Sequence, residues 1–181
     1  MTDSQLHWFV GFTKSCQEKK VAQALTSEGV EYYLPIQRIR RRWSDRVKII
    51  DKVVIPRMIF IHTDVDTRVK ILPLINGLTG YMNKKGPYTP VIVPDKQLDA
   101  FRFMVEQSDE DVLFERNPLK PGDPIEVLVG PLAGMRGELL KTEKGNYVVL
   151  RLESMGAAMV SVSLDSIRRY DPNKEEEDDW R

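Results

Sequence analysis

The side chains able to do chemistry are few and poorly spaced for catalysis. His7 and His62 lack the spacing of a two-histidine zinc helix, Cys16 has no motif partner, and no serine sits in a G-x-S-x-G turn. The stretch Gly130-Pro131-Leu132-Ala133-Gly134-Met135-Arg136-Gly137 has the outline of a phosphate-cradling loop. It lacks the Lys-Ser/Thr pair that would hold phosphate and Mg²⁺, and it leads into a strand where a helix should begin. No enzyme, cofactor or metal is therefore expected; Cys16 reads as a helix-face residue without a role and His62 as a strand-end surface histidine. What remains is recognition by charge and apolar contact. The 27 basic and 27 acidic residues cancel in total, yet Arg38, Arg40, Arg41, Arg42, Arg46, Lys48, Lys52 and Arg57 face only Asp45 and Asp51 within residues 38–57. Such a patch can meet nucleic acid, and its plain alternative is a solvated face. Trp43, between Arg42 and Arg46, could stack on a base or cap a hairpin.

Bulk properties frame that reading. A chain of 181 residues can form one domain or two small ones, and 30% charged with 41% hydrophobic residues is ordinary for a soluble globular protein. No apolar run approaches the roughly 18 residues of a membrane span, and Met1-Thr2-Asp3-Ser4-Gln5 lacks a basic region followed by an apolar core, so a cytoplasmic protein is expected. A single cysteine excludes an internal disulfide. The acidic stretch at 171–181 has nothing to bury and is expected to be disordered.

Periodicity places the elements. Trp8, Val10 and Phe12 alternate through a first strand at 7–12, and Val21 and Leu25 recur at helical spacing through 14–28 before Gly29, a usual C-cap residue. Further strands are expected at 30–39, interrupted by Pro35, at 47–55 and at 57–62, with Pro56 at a bulge or edge. A short helix at 66–75 with Asp66 as N-cap is distorted by Pro73, and a better one at 94–107 carries Leu98, Phe101, Met104 and Val105 on one side. An acidic, weakly patterned linker follows at 108–120. From 125 to 170 only strands fit, including β-branched runs at 146–153 and 157–163. The expected organisation is an α+β domain at 1–107, an antiparallel sheet flanked by helices, then the flexible linker, a small all-β barrel at 121–170 and the tail at 171–181.

Residues 122–139 resemble a KOW motif: Ile125, Val127 and Val129 alternate up to a turn punctuated by Gly130, Gly134 and Gly137, and a second strand follows. Trp8-Phe9-Val10 with the helix after it, Val54-Ile55-Pro56-Arg57-Met58-Ile59-Phe60-Ile61, Asn76-Gly77-Leu78-Thr79-Gly80 and Pro90-Val91-Ile92-Val93-Pro94 resemble, in order, the segments of an NGN domain. The chain is thus similar over nearly its whole length to the NusG family of transcription elongation factors, which join an NGN domain to a KOW domain of SH3-like barrel fold. Arg57 stands where housekeeping members usually have Gly, and Met58 where an aromatic is usual. Met155 replaces the aromatic that in those members contacts Rho or a ribosomal protein, which marks it as the position of KOW partner binding. Residues 90–94 and 156–160 are similar to the UpxY-like antiterminators of capsular polysaccharide operons. Val148, Val149, Val160 and Val162 oppose the helical refolding of another specialised group.

The resemblance implies docking on the clamp helices of RNA polymerase, opposite the gate loop, through Phe12, Ile55, Pro56, Met58 and Phe60. Phe60 and Trp8 could equally be core, whereas Phe12 ends its strand beside polar Thr13 and Lys14 and is the strongest candidate. Lys14, Lys20 and Arg68 correspond to segments that face the non-template strand, and Arg38, Arg40, Arg41 and Arg42 offer further phosphate partners in that DNA or in nascent RNA. An RNA- or ribosome-binding KOW protein without polymerase contact, and a general elongation factor, are the alternatives. The first has no use for an apolar clamp pocket.

Overall fold

The computed structural model describes residues 5–84, 89–117 and 119–172, so the expected disordered tail lies, from residue 173 on, outside the described residues. The chain divides into two compact units, Met1–Arg38 with Asp51–Leu98 and Ile39–Ile50 with Asp99–Arg181.

The first unit is built around β1, His7–Thr13, whose alternating positions are apolar on both faces and therefore suit a strand covered twice. It lies between β5, Met58–Thr63, and β6, Leu78–Tyr81, with β2, Glu31–Tyr33, beyond β5 and β7, Ile92–Val93, paired to its beginning. All these pairings are antiparallel, and the β1–β5 register runs from His7↔Thr63 to Phe12↔Met58. Directly opposed residues share a face. Phe9, Gly11, Ile59 and Ile61 consequently point one way and Trp8, Val10, Phe12, Met58 and Phe60 the other.

The first of these faces meets two helices. Ile59, Ile61 and Leu78 pack with Val21, Ala22 and Leu25 of α1, Glu18–Ser27, and with Ile71 of α2, Val65–Ile71. Burying such aliphatic side chains is worth about 1.5–3 kcal/mol each, which holds both helices to the sheet. α1 begins later than its periodicity suggests because the chain before it is committed elsewhere. Thr13 N–H donates to Arg57 O, Lys14 N–H to Gly77 O, and Cys16 adopts a left-handed φ of 58° that no helix accepts. Its C-terminus is as expected, with Gly29 at φ 69° and Val30 N–H returning to Leu25 O.

The expected cap of α2 is corrected by two residues. Asp64 is the N-cap, and its Oδ1 accepts from Asp66 N–H at 3.0 Å and Thr67 N–H at 2.8 Å. A cap oxygen reaches the donors two and three positions onward, and Asp66 is one of those donors. The helix stops at Ile71, ahead of Pro73, which has no N–H with which to continue the helical hydrogen-bond ladder. α3, Asp95–Gln107, follows Pro94 and buries Leu98, Phe101, Met104 and Val105, the side expected of it.

In the second unit six antiparallel strands run in the order β13-β9-β10-β11-β12-β8. They are β8 Leu113–Glu115, β9 Asp123–Val127, β10 Arg136–Thr142, β11 Gly145–Leu152, β12 Gly156–Ser161 and β13 Ile167–Arg169, with a 3₁₀ turn at Leu164–Ser166. The turn after β9 needs Gly130 and Gly134, at φ 88° and 85°, while Gly137 is required by space, since a Cβ there would lie 2.7 Å from Val149 O. Ile125 and Val127 are buried as the alternation suggests, but the strand ends there and Val129 is exposed.

The expected flexible linker at 108–120 is structured at two points. Leu113–Glu115 pairs with β12 through Ala157↔Glu115 to Met159↔Leu113. Arg151 donates from Nη1 to Leu119 O and from Nη2 to Lys120 O, and from Nε to Glu138 Oε1 at 2.6 Å. Glu138 in turn accepts from Gly122 N–H at 2.9 Å. Acidic composition concealed a strand whose pairing partner lies about forty residues onward.

Gly156 sits at φ 144°, and a Cβ there would lie 2.3 Å from Glu115 O. Gly156→Ala should cost about 2–3 kcal/mol in urea unfolding, through backbone strain and displacement of β8. The hydrogen bond from Arg151, opposed by partial burial, holds the Glu138 carboxyl below its usual range. Its stabilising contribution is complete above the unfolded pKa and is lost as pH falls through the lower folded value. Between about pH 6 and pH 3, wild type should therefore lose more urea stability than Glu138→Gln, and equal losses would remove this role.

Candidate docking face and basic hairpin

Phe12 is the point at which the second face of the central sheet reaches the surface. Trp8 and Val10 precede it on that face and are buried, and Trp8 stacks on His62 with ring centroids 4.6 Å apart. Phe12 itself is half-buried. Its partner on β6 is Gly80, which carries no side chain, and no atom lies within 4 Å of where a Cβ would be. The neighbouring register slips between Phe12 and Thr13, and Thr79 Oγ1 donates to Phe12 O at 3.2 Å. A bulge of this kind re-aims the side chains beside it. The result is an aromatic ring next to unfilled space.

The loop between β4 and β5 adjoins this site. Arg57 N–H donates to the carboxylate of buried Glu18 at 2.8 Å, and Arg57 O accepts from Thr13 N–H at 3.0 Å. Glu18 at the start of α1 thus fixes the loop carrying Pro56 against the strand carrying Phe12. Neither Glu18 nor Gly80 stands out in the sequence. A helical Glu is read as solvated, and a turn Gly as a hinge.

The other expected docking residues take different places. Ile55, Met58 and Phe60 are 0%, 3% and 0% exposed, so as they stand they have no surface to offer a partner. Met58 and Phe60 share the face of Phe12, but β5 is covered on both faces and its residues belong to the core. Pro56 is exposed.

The basic run forms a hairpin of β3, Ile36–Arg42, and β4, Val47–Val53. Trp43 N–H donates to Arg46 O and Val54 N–H to Pro35 O, both at 2.8 Å. Those two bonds bracket a register that sets Arg42 opposite Val47, Arg40 opposite Ile49 and Arg38 opposite Asp51. Arg38 and Asp51 form an ion pair at 3.5 Å, which Lys19 joins at 3.5 Å. One face therefore carries Arg38, Arg40 and Arg42 beside Val47 and Ile49, and the other carries Arg41, Trp43, Arg46 and Lys48. Trp43, Val47 and Ile49 are 58%, 60% and 66% exposed.

Of the remaining expected nucleic-acid residues, Lys14 and Lys20 are exposed. Arg68 is not available in the same way. Its guanidinium carbon lies 5.2 Å from the centre of the Phe9 ring and 5.4 Å from that of Tyr81, and its Nε is buried without a hydrogen-bond partner. Burial pushes the Tyr81 hydroxyl up to about 12, with Arg68 opposing the shift. An arginine among aromatic rings serves the core by cation–π contact, which its charge alone does not reveal. Met155 is 5% exposed, with its N–H donating to Leu152 O in a turn where Ser154 takes φ 62°. It lines a pocket of about 370 Å³ together with Arg116, Leu119, Arg151 and Glu153.

Among the described residues no group of three or more His, Cys, Asp or Glu could hold a metal, and no helix is long and apolar enough to cross a membrane.

Residues 6–102 match the sequence family described as NusG, transcription termination factor nusG. Among solved structures, one titled "Domain interaction in Thermotoga maritima NusG" is 17% identical, with a TM-score of 0.52 over 92% of this chain and 98% of that one. The MjSpt4:Spt5 complex in its conformation A is 14% identical, with a TM-score of 0.32 over 91% of this chain and 98% of that one. No curated protein matches.

Arg57 occupies a left-handed φ of 65°, a conformation that costs a residue with a Cβ about 1–2 kcal/mol. After the added freedom of the unfolded chain is subtracted, Arg57→Gly should raise urea stability by about 0.5–1 kcal/mol. Arg68→Ala should lower it by about 1–2 kcal/mol, whereas Trp43→Ala should leave it within about 0.5 kcal/mol. An unchanged stability in Arg68→Ala would return that residue to the surface set.

Proposed function

Because the chain belongs to the NusG family, a family of transcription factors whose profile covers residues 6–102 of its 181, we propose that it is a transcription antitermination factor that docks on the clamp helices of RNA polymerase. Phe12 is the anchor. The observation that carries this reading is the half-buried ring of Phe12 beside the unfilled space at Gly80. An amphipathic helix meeting the sheet there can seat an apolar side chain against the ring, and aromatic anchors of this kind dominate interface energies. Exposed Pro56 precedes Arg57, whose amide Glu18 holds in place.

Docking opposite the gate loop bridges the polymerase cleft and holds the clamp closed. Pausing and termination fall as a mechanical consequence, with no bond made or broken in the factor. Lys14, Lys20 and the exposed bases of the β3–β4 hairpin serve as phosphate partners for the displaced strand or for nascent RNA. The β strands of the second unit, with the glycine turn between β9 and β10, are read as a KOW barrel able to meet a ribosomal protein. Arg57, in the left-handed position where housekeeping members keep Gly, supports a specialised paralogue acting in the cytoplasm on a polysaccharide biosynthesis operon.

Tagged full-length protein should retain RNA polymerase on purification. Phe12→Ala should weaken that retention by about thirtyfold, the equivalent of about 2 kcal/mol. Gly80→Leu should weaken it comparably by filling the seat, while leaving thermal stability unchanged because open space surrounds the position. Absence of polymerase with wild type, or full retention by both variants, would overturn the docking reading.

A further inference from the structure

The tip of the β3–β4 hairpin sets four side chains in a square. The register fixed by Trp43 N–H on Arg46 O places Arg46 opposite Trp43 and, two residues further from the turn on the same face, Lys48 opposite Arg41. Same-face neighbours along a strand stand about 6.5 Å apart, and directly opposed ones about 5 Å. All four side chains are exposed. Arg41 and Lys48 are like charges in direct opposition, an arrangement that costs stability until a counter-charge comes between them. Arg46 reaches Asp45 of its own turn at 3.9 Å, a solvated pair that contributes little. An indole capping the hairpin would lie buried against the strands. That of Trp43 is 58% exposed, and among the described residues it stacks on no other ring.

Resting on the phosphate-binding reading of the hairpin, we infer that this face is a site for single-stranded nucleic acid, in which Trp43 stacks on an unpaired base while Arg41, Arg46 and Lys48 hold the neighbouring phosphates. Every base has a π-face, so an indole platform accepts all of them without reading sequence, and a guanidinium beside the stack adds cation–π attraction. A base within a duplex has both faces covered by its neighbours. A two-stranded ribbon can enter the major groove, but there Trp43 would meet base edges. Duplex binding by this face therefore uses the three cations alone. An acidic peptide offers carboxylates to the same cations but no planar partner for the ring. The other face of the hairpin, with Arg40 and Arg42 beside Val47 and Ile49, carries no aromatic group and supplies only charge and aliphatic contact. Neither the stack nor the phosphate contacts involve the 2′-hydroxyl, so DNA and RNA strands both satisfy the site.

Fluorescence anisotropy with labelled oligonucleotides of about 12 nucleotides tests the site: single-stranded DNA, the same sequence as RNA, the annealed DNA duplex, and an abasic strand of equal length. Each is titrated with the full chain, with Trp43→Ala, with Trp43→Phe and with the double variant Arg41→Ser, Lys48→Ser. Wild type should bind the base-bearing single strands about tenfold more tightly than the abasic strand. Trp43→Ala should lose that tenfold, the equivalent of about 1.4 kcal/mol, and lose nothing on the abasic strand or the duplex. Trp43→Phe should recover most of it. The double variant should weaken binding to all four ligands and reduce the salt slope on single strands by about 1.4, the share of two phosphates. The relative affinity for DNA and RNA tells which strand the site takes. Equal binding by Trp43→Ala and wild type on every ligand, with loss in the double variant, would overturn the base stack and leave a plain phosphate patch. Failure of wild type to bind any of the oligonucleotides would overturn the nucleic-acid reading of the hairpin together with the stack. Polymerase takes no part in these titrations, so docking through Phe12 stands or falls separately.

Discussion

The antiparallel pairing of β1 with β5 is the constraint on which the first unit depends. Its register decides which apolar residues face α1 and α2 and which face the other way. A slip of one residue would exchange the two sets. Phe12 would then point at the helices and Gly11, which offers nothing to a partner, would take its place. The register is held at its far end by bonds outside the ladder: Thr13 to Arg57, Lys14 to Gly77, and Arg57 to the carboxylate of Glu18. Those bonds gather the end of β1, the start of α1 and the loop before β5 at one place.

The site that results owes as much to missing atoms as to present ones. Gly80 leaves the space that Phe12 borders, and Arg57 tolerates a left-handed backbone so that its amide can reach Glu18. The incompleteness of packing is local. Trp8, Val10, Met58 and Phe60 on the same face are fully packed. A partner that fills one seat beside a rigid sheet incurs little ordering cost.

Electrostatics is arranged on a different principle in each unit. In the first, Arg68 is drawn in among Phe9 and Tyr81, and Asp51 gathers Lys19 and Arg38. In the second, Glu138 joins Arg151, and through it the carbonyls of Leu119 and Lys120 are tied to β10 and β11. At the hairpin, Arg46 reaches only Asp45 of its own turn, and Arg40, Arg41, Arg42 and Lys48 are exposed. Its two faces differ in kind: one mixes arginine with aliphatic side chains, and the other mixes bases with an indole.

Periodicity in the sequence was enough for most elements: β1 from Trp8, Val10 and Phe12, α1 from Val21 and Leu25 with Gly29 as its stop, α3 from Leu98, Phe101, Met104 and Val105. Side-chain repeat and capping chemistry are properties of a few adjacent residues, so they can be read without the fold. The roles of individual residues were another matter. Arg68 and Lys14 look alike as charges, and Met58 and Phe12 alike as apolar strand residues, but only the structure separates the buried from the available. Strand Leu113–Glu115 was hidden in acidic surroundings, and Glu18 and Gly80 acquired meaning only through Arg57 and Phe12. Burial and pairing depend on residues distant along the chain, and that is why the elements were legible from the amino-acid sequence whereas the setting of Phe12 was decided by the tertiary structure.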